Sequence, residues 1–254
     1  MTTSGLGSPA VRRAREYAKL GLRAVLHRRG LDLVKDPFPV RVATMLNWLP
    51  AQAVLDIGAN IGQYGSALRA GGYKGRIVSC EPLSDAYAHL ERRSARDASW
   101  TVVRTAVGDV PGETTINVSA NSYSSSLLPM TDAHRDAAPG SEFVTTQTVP
   151  VTTVRDLVAE QGVDPARALL KVDTQGFESA VLDGAGELVG QFAALALELS
   201  FVPLYEGQAL YDDLVERLTK AGYTLYGIDA GFGDPATGRM LQCDGLFVRT
   251  DLLG

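Results

Sequence analysis

Val54-Leu55-Asp56-Ile57-Gly58-Ala59-Asn60-Ile61-Gly62 restricts this chain more than any other stretch. Val54, Leu55 and Ile57 form a short apolar run of the kind that makes a buried strand. The run passes into small residues and then into a segment with helical spacing, Tyr64 and Leu68. Strand, tight turn and helix in that order open a nucleotide-binding α/β fold. Gly58 and Gly62 accept backbone angles that other residues avoid and let a ligand approach the main chain. The amides exposed at the following helix start favour a negatively charged ligand group.

The turn also bears on which nucleotide. A dinucleotide site calls for G-x-G-x-x-G to make room for a pyrophosphate. This turn reads D-x-G-x-N-x-G, with Asn60 where the second glycine would be and Asp56 inside the strand end. A carboxylate there repels a diphosphate but suits the ammonium or sulfonium of S-adenosylmethionine. Further on, Arg76-Ile77-Val78-Ser79-Cys80 is a second apolar strand that ends in Glu81-Pro82. An acid at that tip hydrogen-bonds a pair of ribose hydroxyls. Asp56, Gly58, Asn60, Gly62 and Glu81 are therefore expected to form a nucleoside site. The competing reading is a tight strand–helix turn with no ligand.

Size and charge narrow the field. A chain of 254 residues, 45 % of them hydrophobic, fits one α/β domain with an appendage or two small domains. A net charge of −5 argues against a general nucleic-acid binder. The charge is uneven: residues 11–35 carry eight Lys/Arg against Glu16 and Asp32. A basic helix is expected over about 9–30, either leaning on an anionic membrane or glycolipid surface or packing on the domain with a solvated basic face. Two cysteines make no disulfide framework, and three scattered histidines argue against a zinc site. No apolar run is long enough to span a membrane, and the N-terminus lacks a signal-peptide core. A reducing cytoplasm is the expected location. The expected division is an N-terminal helical extension, 1–50, and a nucleotide-binding domain, 51–254.

The rest of the chain alternates in the same way. A helix is expected over about 39–49, with Val42, Met45, Leu46 and Leu49 on one face. Ser84 is a candidate N-cap for a helix to about Arg96. Trp100–Val103 reads as a third strand, followed by Ala106-Val107-Gly108-Asp109. Thr114–Val118 and Thr146–Val151 read as additional strands, with a polar Asn121–Ser126 stretch and a loop over about 128–142 between them. Leu169–Asp173 and Ala194–Leu199 are the fourth and fifth parallel-type strands. After a helix at Tyr211–Ala221, Tyr223–Ile228 and Leu246–Arg249 form a terminal antiparallel pair. The pattern predicts a seven-stranded, mostly parallel, doubly wound sheet.

Val54–Tyr64, Glu81-Pro82, Ala106–Asp109, Ser124–Leu127 and Lys171-Val172-Asp173-Thr174-Gln175-Gly176-Phe177-Glu178 occur in that order. Together they resemble the FkbM family of S-adenosylmethionine-dependent O-methyltransferases, across roughly residues 50–250. The most specific piece is K-x-D-x-x-G-x-E from Lys171 to Glu178. The resemblance implies a class I, Rossmann-like methyltransferase fold and methylation of a hydroxyl on a glycolipid, a polysaccharide or a polyketide product. A dinucleotide-dependent oxidoreductase and a non-catalytic binding protein on the same fold are the rival readings.

Candidate roles follow. Glu81 is expected to take the ribose, Ala106 and Val107 to flank adenine, and Asp109 to meet its amino group. Asp56 and Gly58 are expected near the methionine end, with Asn60 contacting the carboxylate or holding the turn. Asp173, at the tip of the fourth strand, is the first candidate base; Glu198 and His134 are the others. Glu178 is either an acid of this group or a helix-start charge favoured by the dipole. Lys171, inside an apolar strand, is either paired with a carboxylate or aimed at the site. Asp173, Glu178 and Glu198 are also a possible oxygen-ligand set for Mg²⁺.

Overall fold

The alternation of apolar strands and amphipathic helices builds a seven-stranded sheet covered on both faces. The structure, a computed structural model, describes residues 25, 26, 28, 37–49, 51–121 and 123–254. The basic helix expected over 9–30 falls almost wholly outside the described residues. The chain divides into two units, 1–37 and 38–254, and the sheet belongs to the second.

The strands β1 (Ala53–Ile57), β2 (Arg76–Cys80), β3 (Trp100–Val103), β7 (Ala168–Val172), β8 (Ala194–Ser200), β9 (Tyr223–Ala230) and β10 (Gln242–Arg249) lie in the order β3-β2-β1-β7-β8-β10-β9. The first five are parallel; β10 runs antiparallel to both β8 and β9. This is the doubly wound sheet with a terminal hairpin that the sequence predicts. The order reverses between β1 and β7, and a ligand crevice belongs at that switch point.

The strands' period of two sends side chains to two apolar layers. Leu55 and Ile57 join Leu157, Val181, Leu182 and Leu214 from the helices α5 (Val154–Gln161), α6 (Glu178–Ala185) and α7 (Tyr211–Lys220). Val54 joins Val42, Leu46, Leu68 and Leu90 from α1 (Phe38–Trp48), α2 (Gln63–Ala70) and α3 (Ser84–Ser94). The helix expected over 39–49 is thus part of the second unit.

Three local differences from the sequence reading have physical causes. Ser84 is the first residue of α3 and caps nothing; its hydroxyl donates to Gln147 Oε1 at 3.0 Å. The strands β5 (Gly112–Ser119) and β6 (Phe143–Thr152) leave the main sheet and form a three-stranded sheet with the two-residue β4 (Ala106–Val107). The segment read as loop over 128–142 holds a short helix, α4 (Asp132–Ala137), anchored by buried His134 and Ala137. The small sheet and this segment bring Ala106, Val107, Ser124, Ser125 and His134 to the wall of the cavity described next.

Candidate active site

A cavity of about 370 Å³ lies at the carboxyl ends of β1, β2 and β7, within the range usual for small-molecule sites. Its first group of lining residues comes from the first two strand tips. Gly58, at φ +74°, has no room for a side chain, because a Cβ there would overlap the carbonyl oxygen of Asp173. The glycine therefore lets the β1 and β7 tips close on each other. Gly62, at φ +83°, does not line the cavity; a Cβ there would press on Leu90, Arg93 and Trp100. Its glycine serves helix packing rather than ligand approach.

Glu81 fastens this turn. Its Oε2 accepts from the Asn60 amide and its Oε1 from the Leu83 amide, both at 2.9 Å. The residue lines the cavity although it is only 5 % exposed. Burial pushes its carboxyl up to about 7, against the pull of those two amides and of Lys171. Ala106 and Val107 line the same part of the cavity. Asp109 is exposed and borders an adjoining shallow recess with Pro111, Glu113 and Phe177 instead.

Asp56 is not in the cavity wall. It is fully buried, accepts from Ser79 Oγ at 2.9 Å, and pairs with Lys171 Nζ at 3.1 Å. Ser79 in turn accepts from the Trp100 indole at 3.0 Å. The carboxylate that the sequence aims at a cationic ligand is thus neutralised from within. Lys171 also donates to the Gly58 carbonyl at 3.1 Å and lies 3.5 Å from Asp173 Oδ2. Burial alone would lower the Lys171 ammonium, but Asp56 and Asp173 hold it above the ordinary lysine range.

The second group lies on the other side of Asp173. Asp173 lines the cavity, as do Ser124, His134, Gln175, Glu198, Phe232 and Gln242. Glu198 sits inside β8, not at its end, and burial followed by Asp173 and Glu178 raises its carboxyl well above the usual range. His134 is 3 % exposed, with Nε2 at 3.2 Å from Ser124 Oγ and its ring edge-on to Tyr205. Burial lowers the imidazole, and the residue sits on a helix rather than on a mobile loop. Glu178 turns away from the cavity; its Oε1 accepts from the amides of Thr174 and Gly176 at 2.9 and 3.2 Å and from the Thr174 hydroxyl. It clamps the loop after β7. Among the described residues no group of three or more His, Cys, Asp or Glu is placed to hold a metal ion. The Asp173, Glu178 and Glu198 set considered for Mg²⁺ is therefore not assembled, because Glu178 is spent on the loop.

The sheet order and the crevice at its switch point define a class I methyltransferase fold. The methyltransferase FkbM domain matches residues 56–225. The chain belongs to that family and is a methyltransferase, which sets aside the dinucleotide-dependent oxidoreductase. No curated protein matches the sequence. Among solved structures, it is similar to precorrin-6y C5,15-methyltransferase from Geobacter metallireducens (11 % identity, 82 % of this chain and 87 % of that one, TM-score 0.41). It is also similar to a Burkholderia thailandensis 1,6-didemethyltoxoflavin-N1-methyltransferase with bound S-adenosylhomocysteine (13 %, 98 % and 94 %, TM-score 0.42). A third is a putative tRNA (m1A22) methyltransferase of Streptococcus pneumoniae in complex with S-adenosyl-L-methionine (10 %, 82 % and 72 %, TM-score 0.44). The assignment rests on the family match and on the sheet itself. Among the described residues no helix is long and apolar enough to cross a membrane.

Proposed function

We propose that the chain transfers a methyl group from S-adenosylmethionine to a hydroxyl oxygen, on a sugar of a glycolipid, polysaccharide or glycosylated natural product, in the cytoplasm. The carrying observation is the position of Asp173. It touches Gly58 through its main chain, it faces the cavity, and its carboxylate is linked to the polar group of Gln175 and Glu198.

The residues present fit the cofactor. Glu81 uses one lone pair of each oxygen on a backbone amide and keeps others for ribose hydroxyls. Ala106 and Val107 offer a low apolar wall of the sort that takes an adenine face, and Gly58 and Asn60 would hold the methionine end. The Asp56 role is recast: it anchors Lys171 beneath the turn, and Asp173 and Glu198 are the acids on the cavity side. When bound, the cofactor supplies a methyl group already activated by its sulfonium.

The protein's own tasks are alignment and proton removal. Holding an acceptor in line is worth up to roughly 7–11 kcal/mol, and a positioned base about 10²–10⁴-fold. Asp173 is the proposed base, with the Lys171 ammonium 3.5 Å from its Oδ2. Ser124, Gln175, Glu198 and Gln242 are short- and long-armed hydrogen-bonding groups that line the cavity together with Phe232. That mixture suits a polyol, whose hydroxyls need many partners and whose C–H face packs on an aromatic.

The test is incubation with methyl-labelled S-adenosylmethionine and an extract of the host's glycolipids and polysaccharides, followed by mass spectrometry of the products. Label on a sugar oxygen is expected. Label on nitrogen or carbon would overturn the hydroxyl reading, and no transfer at all would favour a binding protein.

A further inference from the structure

We propose that Gln175 is the positioning residue of this site, fixing the Asp173 and Glu198 carboxylates relative to each other through one amide group. The inference rests on the methyl-transfer reading and deepens it. Gln175 Nε2 donates to Asp173 Oδ1 at 2.9 Å and to Glu198 Oε2 at 3.0 Å. An amide nitrogen carries two hydrogens, so both are used. The orientation is chemically fixed, because a carboxylate accepts and the amide must turn its nitrogen toward it. That leaves Oε1 for Tyr205, whose hydroxyl lies 2.9 Å away.

The main chain supports the same arrangement. Gln175 is one of two non-glycine residues at positive φ among the described residues, at +55°. Such a conformation is unfavourable for an L-residue and persists only where its surroundings impose it. Gly176, at +97°, follows it directly against the buried Tyr205 ring. The Gln175 carbonyl accepts from Ser126 Oγ at 2.6 Å, and Tyr205 also reaches the Ser124 carbonyl at 3.2 Å. One residue thereby ties the tip of β7, the interior of β8 and the serine-rich wall together. A base that drifts by an ångström loses much of its value, and Asp173 would have that freedom without the bridge. Gln175 itself accepts no proton; it acts through Asp173 and Glu198.

The sequence contains no signal for this beyond a polar residue preceding Gly176 in a tight turn. The experiment uses two readouts on the full chain. Gln175→Met keeps the length and removes both donors. Transfer of labelled methyl to the host extract is expected to fall about 100-fold, while S-adenosylhomocysteine binds within about threefold of wild type. Gln175→Glu puts a third carboxyl in the cluster. Its deficit is expected to narrow from about pH 8 to about pH 6, as that carboxyl takes up a proton and regains one donor. A filler role would give a deficit independent of pH. Wild-type transfer rates in Gln175→Met, or a Gln175→Glu deficit flat with pH, would overturn the proposal.

The second readout needs no acceptor. The Gln175 side-chain amide, identified in a ¹H–¹⁵N spectrum by its loss in Gln175→Met, is expected to exchange slowly and to shift with pH. An amide exchanging like an exposed glutamine would also overturn the proposal. If wild type transfers no label, the methyl-transfer reading fails, and the amide resonance still decides whether the bridge exists. Should Gln175→Met fail to bind S-adenosylhomocysteine, Tyr205→Phe removes only the anchoring hydroxyl. It is then expected to lower transfer and hasten exchange of the Gln175 amide, and failure to do both would overturn the proposal.

Discussion

Asp56 and Lys171 stand opposite each other on neighbouring parallel strands, and their charges meet at 3.1 Å in the protein interior. Neither is more than 7 % exposed. Breaking a buried pair leaves one charge without compensation, which costs about 3–5 kcal/mol, whereas the intact pair is often near neutral against an apolar substitute. Lys171→Met is therefore expected to destabilise by about 3–5 kcal/mol in urea unfolding. Adding Asp56→Asn should return a good part of that loss. A double variant as unstable as the sum of the two singles would show that the two residues do not act as a pair.

That pair also marks where reading the sequence reaches its limit. Strand spacing, the turn at Gly58 and the acid at Glu81 are local signals, and the structure has the strands where periodicity puts them. The side chain of Asp56 is different. It alternates to the face of Val54, and its partner is supplied by β7, far along the chain. No local pattern says that a carboxylate beside a glycine turn is already neutralised. The loop Asp173–Glu178 hides its division of labour for the same reason. Asp173 faces the cavity, Glu178 clamps the loop, and Gln175 bridges to β8. The small second sheet was illegible because β4 has two residues and β5 and β6 read like ordinary strands.

The fit of Gly58 against the Asp173 carbonyl gives a sharper test of the turn. Alanine at this position meets two obstacles, a positive φ and a backbone oxygen that has no side-chain freedom to move. Gly58→Ala is expected to separate the β1 and β7 tips, with loss of S-adenosylhomocysteine binding and a lowered melting temperature. Gly72→Ala is the control, since it shares a positive φ but has open space around it. Equal effects of the two substitutions would reduce the Gly58 requirement to backbone angle alone.

Glu81 carries a pH dependence whose sign can be worked out. Its carboxyl, pushed up to about 7 by burial, binds its proton more tightly folded than unfolded. The stability this contributes, on the order of 3 kcal/mol, is complete below the ordinary value of 4.5 and is lost as pH rises through about 7. Ribose hydroxyls that donate to the ionised form pull the other way. Affinity for S-adenosylhomocysteine is expected to increase as pH rises through about 7, and calorimetry across that range checks it. Glu81→Gln should bind more weakly and lose the dependence. Glu81→Ala should weaken binding further with the fold intact.

Asp173 separates binding from turnover. Its main chain closes the turn at Gly58, which any side chain at 173 preserves, while its carboxylate faces the cavity between Lys171 and Gln175. Asn keeps the shape and removes the basicity. With Asp173→Asn, methyl transfer to the host extract is expected to fall by about 10²–10⁴-fold, the range for a positioned base. Affinity for S-adenosylhomocysteine should change little, since Glu81, Asn60 and Gly58 are untouched. A variant with near-normal turnover would end the case for Asp173 as base and shift it to Glu198. Glu198 lines the same cavity and shares the Gln175 amide with Asp173.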